Sequence, residues 1–281
     1  MPNQVIKTIE QKLKCTITNQ QTVGGGCMAQ SSIIRTNTGR FFFLKQGFSN
    51  GLFTKEANGL HELNKAKVVR IPEVILFDQD FLLLECITEG SKTAAFYIKF
   101  GKALAQLHKY TSTQFGFYED NFIGSTPQIN TYNSNWLDFY YTHRLLCQFK
   151  LAEANGYSDT SFQRAFLGLE KQLHHIIGSS EEKPCLCHGD LWAGNYMVDK
   201  NGDPVLIDPA VYYGHREADL AMTKLFGGFS SDFYEAYQKE FPLTEGYLYR
   251  ENIYLLYHVL NHLNLFGESY KRQAIQLMTS Y

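Results

Sequence analysis

No apolar run in the 281 residues approaches the ~20 that a membrane-spanning helix needs. The opening Met1-Pro2-Asn3-Gln4 lacks the basic-then-apolar pattern of a secretion signal, so a cytoplasmic protein without a membrane partner is expected. Cysteine is scarce: six in a chain this long cannot make a disulfide scaffold, and reduced, mostly buried thiols are expected. Cys185-Leu186-Cys187-His188 hints at a metal cluster, but no second ligand pair follows at zinc-site spacing. Charge of either sign is not in excess. With Lys+Arg at 26 and Asp+Glu at 28, bulk positive charge cannot hold nucleic acid. Hydrophobic content of 44% excludes general disorder. Gly-Lys-Ser/Thr occurs nowhere, which removes a Walker A nucleotide loop. Gly24-Gly25-Gly26-Cys27-Met28-Ala29 is no dinucleotide fingerprint either, because a strand pattern follows it and the next acid is Glu56.

What is present is unevenly spread. From Gln11 to Lys55 there is no acid, while Lys12, Lys14, Arg35, Arg40, Lys45 and Lys55 give a net of +6. Between Glu181 and Asp219 eight acids outnumber Lys183, Lys200 and Arg216. Two such segments facing across a cleft would suit a polyphosphate carrying a divalent cation; equally, each could be a solvated face.

The length sits where a single core begins to split, ~250–300 residues, so two lobes are expected. The first lobe reads as β-rich. Ser31–Arg35 and Phe41–Lys45 flank a turn at Asn37-Thr38-Gly39, and Val74–Phe77 and Phe81–Leu84 flank another at Asp78-Gln79-Asp80. Between these pairs, Ala57, Leu60 and Leu63 recur at helical spacing, which predicts a helix over 55–65. Beyond Gly90 the pattern turns helical. Lys99, Lys102, Gln106 and Lys109 form one polar stripe on a segment 94–107 that is otherwise apolar or small, predicting a helix buried on most sides. Met197-Val198 and Val205-Leu206-Ile207 around Asn201-Gly202 predict a hairpin. The expected fold class is α+β and two-lobed, with residues 1–87 as the smaller lobe and 88–281 as the larger, mostly helical one.

The chemistry is concentrated in His188-Gly189-Asp190-Leu191-Trp192-Ala193-Gly194-Asn195, followed by Val205-Leu206-Ile207-Asp208. Moving a γ-phosphoryl group to a hydroxyl needs a carboxylate at the hydroxyl and oxygen ligands for Mg²⁺. Asp190, an Asn five residues later, and a hairpin that ends in Asp208 supply base, metal amide and metal carboxylate in that order. Turn-capping would account for each residue alone but not for the ordered set. Lys45, ending an apolar strand, and Glu56 on the next helix would hold an ammonium against the α- and β-phosphates of ATP. Gly24, Gly25 and Gly26 would let backbone N–H groups approach those phosphates, or would simply form a flexible turn. The segment from Leu84 through Glu85 to Ile87 reads as a hinge whose backbone could pair with adenine.

These stretches, together with Asn121–Gln128, Ile207-Asp208-Pro209-Ala210, Tyr212–Met222, Leu225–Phe229 and Leu260–Gly267, resemble the fructosamine-3-kinase (ketosamine kinase) family, a branch of the protein-kinase-like fold shared with aminoglycoside and choline kinases. The resemblance spans nearly the whole chain. It implies ATP- and Mg²⁺-dependent phosphorylation of a ketosamine, free or protein-bound, at its 3-hydroxyl in deglycation repair. Asp190 is then the base, Asn195 and Asp208 hold Mg²⁺, Lys45 meets the phosphates, Glu56 positions Lys45, and Asp219 anchors the catalytic loop. Trp192 becomes a candidate for packing on the sugar face, or else a buried structural residue; Asn261 and His262 are further candidates for the acceptor pocket. Cys27 matches a cysteine through which relatives form redox-linked homodimers, so a monomer or such a dimer is implied. Gly189 stands where protein kinases carry an Arg, and Asp-Pro-Ala replaces Asp-Phe-Gly, so no activating phosphorylation is expected. An aminoglycoside- or choline-type kinase, or an inert nucleotide-binding module, remain the alternatives.

Overall fold

In the computed structural model, residues 2–24, 30–47, 50–178 and 182–281 are described. Helix α1 (Pro2–Leu13) precedes strands β1 (Ile17–Val23), β2 (Gln30–Thr36) and β3 (Phe41–Gln46). Helix α2 (Leu52–Lys65) leads to β4 (Val74–Phe77) and β5 (Phe81–Glu85). The five strands form one antiparallel sheet in the order β1-β2-β3-β5-β4. Ile34, Phe42, Leu44, Phe81 and Leu83 alternate onto one face, where Ile9 of α1 is fully buried among them and Val5, Ile6 and Leu13 pack around it. The opposite face, through Leu82 and Leu84, joins Phe53, Ala57, Leu60 and Leu63 of α2 in a core that runs without a break into the rest of the chain.

That remainder is mostly helical: α3 (Ala94–His108), a β6–β7 hairpin (Asn121–Ile123, Thr126–Gln128), α4 (Trp136–Tyr140), a π-helical turn over Tyr141–Leu145, then α5 (Leu146–Ala154), α6 (Thr160–Glu170) and α7 (Leu173–Ile177). Strand β8 (Cys185–Cys187) follows, then a β9–β10 hairpin (Tyr196–Val198, Pro204–Leu206), β11 (Tyr212–Gly214) and helices α8 (Arg216–Lys224), α9 (Ser231–Glu240), α10 (Tyr247–Phe266) and α11 (Lys271–Met278). Among the described residues no helix is long and apolar enough to cross a membrane.

The expected strands and hairpins are present, with three corrections. Helix α2 begins at Leu52, three residues before the predicted start, because Gly51 in the left-handed region turns the chain directly into it. Helix α3 starts on a Thr93 side-chain cap but is only half enclosed. From Phe100 onward it lies on α9, whereas Ala94, Ala95 and Ile98 precede that contact and are exposed. A Cβ at Gly101 would come within 2.2 Å of the Phe233 carbonyl, so only glycine permits this approach. Third, of the five described cysteines only Cys185 and Cys187 are buried; Cys15, Cys86 and Cys147 are half-buried.

Helix α2 is tied to the larger lobe at several points. Lys55 and Asn58 both bond to Glu119, at 2.6 and 2.8 Å, Glu62 accepts from the Tyr213 hydroxyl at 2.8 Å, and Gly59 faces Pro209 and Val211.

Candidate active site

Strand β3 carries Lys45 to the sheet's inner face, and one turn into α2 Glu56 meets it: Lys45 Nζ lies 2.8 Å from Glu56 Oε1 and 2.5 Å from Asp208 Oδ1. Burial works against the ammonium, but the two carboxylates outweigh it and hold the Lys45 pKa above its ordinary value. Burial also pushes Glu56 upward against the pull of Lys45. Lys45 and Glu56 are both under 10% exposed, so breaking this pair by removing one partner would cost ~3–5 kcal/mol, unlike an exposed pair worth under ~1. The basic and acidic segments of the sequence thus meet here, at Lys45 and Asp208.

The loop after β8 is held by its backbone. Asp219, at 1% exposure, accepts the His188 N–H at 2.6 Å and the Gly189 N–H at 2.8 Å, and His108 Nε2 stands 3.2 Å away. Burial opposes the charge on Asp219, yet these hydrogen bonds, His108 foremost, keep its carboxyl below the usual range. His188 Nε2 donates to the Ile207 carbonyl at 2.9 Å while its Nδ1 accepts the Asp190 N–H at 3.3 Å. One neutral tautomer satisfies both, in keeping with burial lowering its pKa. His188 therefore ties the start of the loop to the segment before Asp208 and is no metal ligand. His108, Cys187 and Asp219 do bring ligand atoms within 4.8 Å of one another, but His108 and Asp219 are already hydrogen-bonded and the cluster reads as an anchor for the loop.

Asn195 closes the loop. Its Nδ2 donates to the Asp190 carbonyl at 2.8 Å and to Asp190 Oδ2 at 3.0 Å, leaving Asn195 Oδ1 and Asp190 Oδ1 without a partner among the described residues. The β9–β10 hairpin returns the chain, and Ile207 N–H bonds to the Asn195 carbonyl at 3.1 Å. Asp208 follows at φ +54°, a strained value for a residue with a side chain. Asp190 is half-buried, and burial, reinforced by the charge of Asp208, pushes its pKa up to about 7 against the Asn195 amide. Asp190, Asn195, Asp208, Lys45 and Glu56 therefore converge. Gly24 follows β1 in open space, where an added Cβ would meet no atom within 4 Å, whereas Gly25, Gly26 and Cys27 lie outside the described residues. Glu85 pairs through its carboxylate with Arg70 and through its N–H with the Glu73 carbonyl, so its side chain is committed within the smaller lobe. Trp192 is half-buried beside Asp190 and so is not a core residue. His262 donates Nδ1–H to the His258 carbonyl at 2.7 Å, but Asn261 does not reach the cleft. It is 2% exposed, and its amide is taken by Gln148 and the Ile123 carbonyl.

One supporting cluster was not read from the sequence. Arg144, in the π-helical turn, is fully buried, and no carboxylate among the described residues pairs with it. Its guanidinium lies over Tyr212, Phe139 and Tyr257 at 4.2, 4.8 and 5.6 Å and donates to Asn130 and the Ile129 carbonyl. Asn130 bonds to Asn121; Asn121 donates to the Val211 carbonyl, and Gln128 to the Ala210 carbonyl. Through this relay the Asn121–Gln128 hairpin holds the segment that carries Asp208. An Arg within an apolar stretch was the available signal.

Buried neutral histidines give the fold an acid-sensitive element. His258 is 4% exposed, and burial, helped by His262 and Arg144 and opposed by Asp219, lowers its pKa to about 3. The unfolded chain then binds the extra proton below pH ~6.5, so this stability is complete above that pH and is lost as pH falls. By pH 5 the loss is about 2 kcal/mol. Denaturant unfolding at pH 7 and pH 5 checks it: His258→Gln should shrink the difference between the two by about that amount, and an unchanged difference would refute it.

The antiparallel sheet carrying a lysine over a helical lobe that presents a carboxylate–amide loop defines a protein-kinase-like phosphotransferase. The streptomycin–ATP complex of an aminoglycoside phosphotransferase shares that fold, with a TM-score of 0.69, 13% identity, and coverage of 100% of this chain and 97% of the other. More particularly, the chain belongs to the fructosamine kinase family, whose sequence model matches residues 1–281. It is 40% identical to a chloroplastic protein-ribulosamine 3-kinase of Arabidopsis thaliana over 273 residues, covering 94% of this chain and 83% of that one. A crystal structure from Thermobifida fusca assigned as a fructosamine-3-kinase superposes with a TM-score of 0.91 at 30% identity, covering 98% and 97% of the two chains.

Proposed function

We propose that this phosphotransferase moves the γ-phosphoryl group of ATP to the 3-hydroxyl of a ketosamine, with residues 1–87 holding the nucleotide and 88–281 the acceptor. The observation that carries this reading is the meeting of Lys45, Glu56 and Asp208 beside Asp190 and Asn195. The donor set fits Mg²⁺: a carboxylate and an amide oxygen are hard ligands, and Asp208 leans on the Lys45 ammonium at 2.5 Å, as a carboxylate built to face a cation would. Asn195 Oδ1 and Asp208 would hold the ion, which would neutralise phosphate charge when bound. Lys45, fixed by Glu56, would contact the α- and β-phosphates. Asp190, with Oδ2 held by Asn195, keeps Oδ1 for the acceptor's hydroxyl proton as that oxygen bonds to phosphorus and ADP departs. The Arabidopsis relative, a protein-ribulosamine 3-kinase, supports the ketosamine over an aminoglycoside, whose kinases share only the fold.

An acceptor panel with ATP and Mg²⁺ tests it. Fructose-lysine or ribulose-lysine should be turned over, with the product phosphorylated on O3; turnover of kanamycin alone would overturn the reading. In the same assay Asp208→Ala should weaken Mg-ATP binding by about tenfold or more, read by calorimetry. Unchanged affinity would remove Asp208 from the metal site.

A further inference from the structure

Beside Asp190 runs a strip of rings that the phosphoryl-transfer chemistry leaves unused. The Trp192 indole lies across Gly194, where a Cβ would come within 2.5 Å of it. Phe226 meets Trp192 edge-on with centroids 5.9 Å apart and tilts against His262 at 4.9 Å. His262 then touches Phe266 and Tyr270, each at 5.3 Å. The strip opens outward: Trp192 is half-buried, whereas Phe226 and Phe266 are 47% and 52% exposed.

Phe226 is the unusual member. It sits in the left-handed region at φ +60°, ψ +39°, with Gly227 and Gly228 after it also at positive φ. A glycine would adopt that conformation without the steric cost a phenylalanine bears. With nearly half its surface in water, the ring regains little of that cost by burial. Strain kept at the edge of a cleft points to use.

We propose that Phe226, with Trp192 and His262, forms an aromatic wall that receives the cationic amine arm of the acceptor. The inference rests on the ketosamine reading above. In a ketosamine the phosphorylated hydroxyl on C3 stands two carbons from the nitrogen-bearing C1. If that hydroxyl lies at Asp190, the first ring outward, Trp192, faces the sugar, and the second, Phe226, faces the nitrogen and its substituent. That nitrogen is an alkylammonium at neutral pH, and ring faces attract such a cation while accommodating an apolar arm. His262 suits the position. Its Nδ1–H is committed to the His258 carbonyl, and burial lowers its pKa, so it stays neutral and does not repel the charge.

The test compares Phe226→Leu and Phe226→Trp on fructose-lysine and, as a competitive inhibitor, on the neutral ether that replaces the ketosamine nitrogen with oxygen. In Phe226→Leu, KM for fructose-lysine should rise about five- to thirtyfold. The kcat and the KM for ATP should hold, and the ether's inhibition constant should move less than about threefold. Phe226→Trp should bring KM back to within about threefold of the wild type. Unfolding midpoints of both variants, at or above the wild type, would rule out lost folding as the cause. An unchanged ketosamine KM in Phe226→Leu overturns the proposal, as does an equal loss for ether and ketosamine. If the wild-type enzyme turns over no ketosamine at all, the functional reading fails first; turnover that survives Phe226→Leu unaltered sinks only the wall.

Discussion

Asp190→Asn should lower kcat by about 10²–10⁴-fold while ATP affinity stays within about twofold. The substitution keeps size and shape, and an Asn oxygen can still accept from Asn195 Nδ2, which now stands 3.0 Å from Asp190 Oδ2. Under the proposed reading what disappears is the proton acceptor, needed mainly in the transition state. Lys45, Glu56 and Asp208 are untouched, so the nucleotide should bind as before. Steady-state kinetics paired with calorimetric ATP titration separates the two effects. A rate near that of the wild type would strip Asp190 of its proposed role, whatever becomes of Asn195 and Asp208.

Gly189→Ala should be nearly as damaging by a different route. A methyl there would lie 2.0 Å from the Ala210 carbonyl oxygen and 2.7 Å from its carbon, on a backbone already at φ +84°. The obstacle is main chain and cannot swing aside. Ala210 is pinned on both sides, its N–H bonded to the His188 carbonyl and its own carbonyl to Gln128. Relief must therefore move the Asp190 loop away from the segment bearing Asp208. About 3 kcal/mol of stability and at least about 100-fold in kcat/KM should be lost. Gly202→Ala is the control. Gly202 has a similar φ of +76° in the β9–β10 turn but no atom within 4 Å, so it should cost about 1 kcal/mol and leave activity intact. Equal behaviour of the two variants in denaturant unfolding and assay would refute the steric account. The same crowding explains why the arginine that protein kinases carry at this place has no room here.

The parts that the sequence made legible are those in which chemistry dictates spacing. Asp190, Asn195 and Asp208 could be read because a five-residue loop and a hairpin are the shortest way to bring them together, and Lys45 and Glu56 because strand and helix periodicity place them. Helix α1 leaves an equally plain trace, in the Val5, Ile6, Ile9 and Leu13 spacing, but its meaning depends on the sheet face it covers. Strand β1 has little apolar alternation, since Asn19, Gln20, Gln21 and Thr22 are all exposed, and only pairing with β2 reveals it. Arg144 left only a faint trace and Phe226 none, for a different reason. A buried guanidinium among rings and a left-handed phenylalanine are tertiary facts, and local propensity argues against both. Asn261 shows the reverse error: a polar residue near the right place whose amide is spent on helix packing.

In many kinases the helix bearing the lysine's glutamate swings, and that swing is the on–off control. Here that helix is fastened at Glu119 and Tyr213 and pressed through Gly59 onto Pro209, the residue next to Asp208. These ties hold the helix in the posture that pairs Glu56 with Lys45. Under the proposed reading, turnover in the cell is set by how much damaged amine arrives and how much enzyme is made.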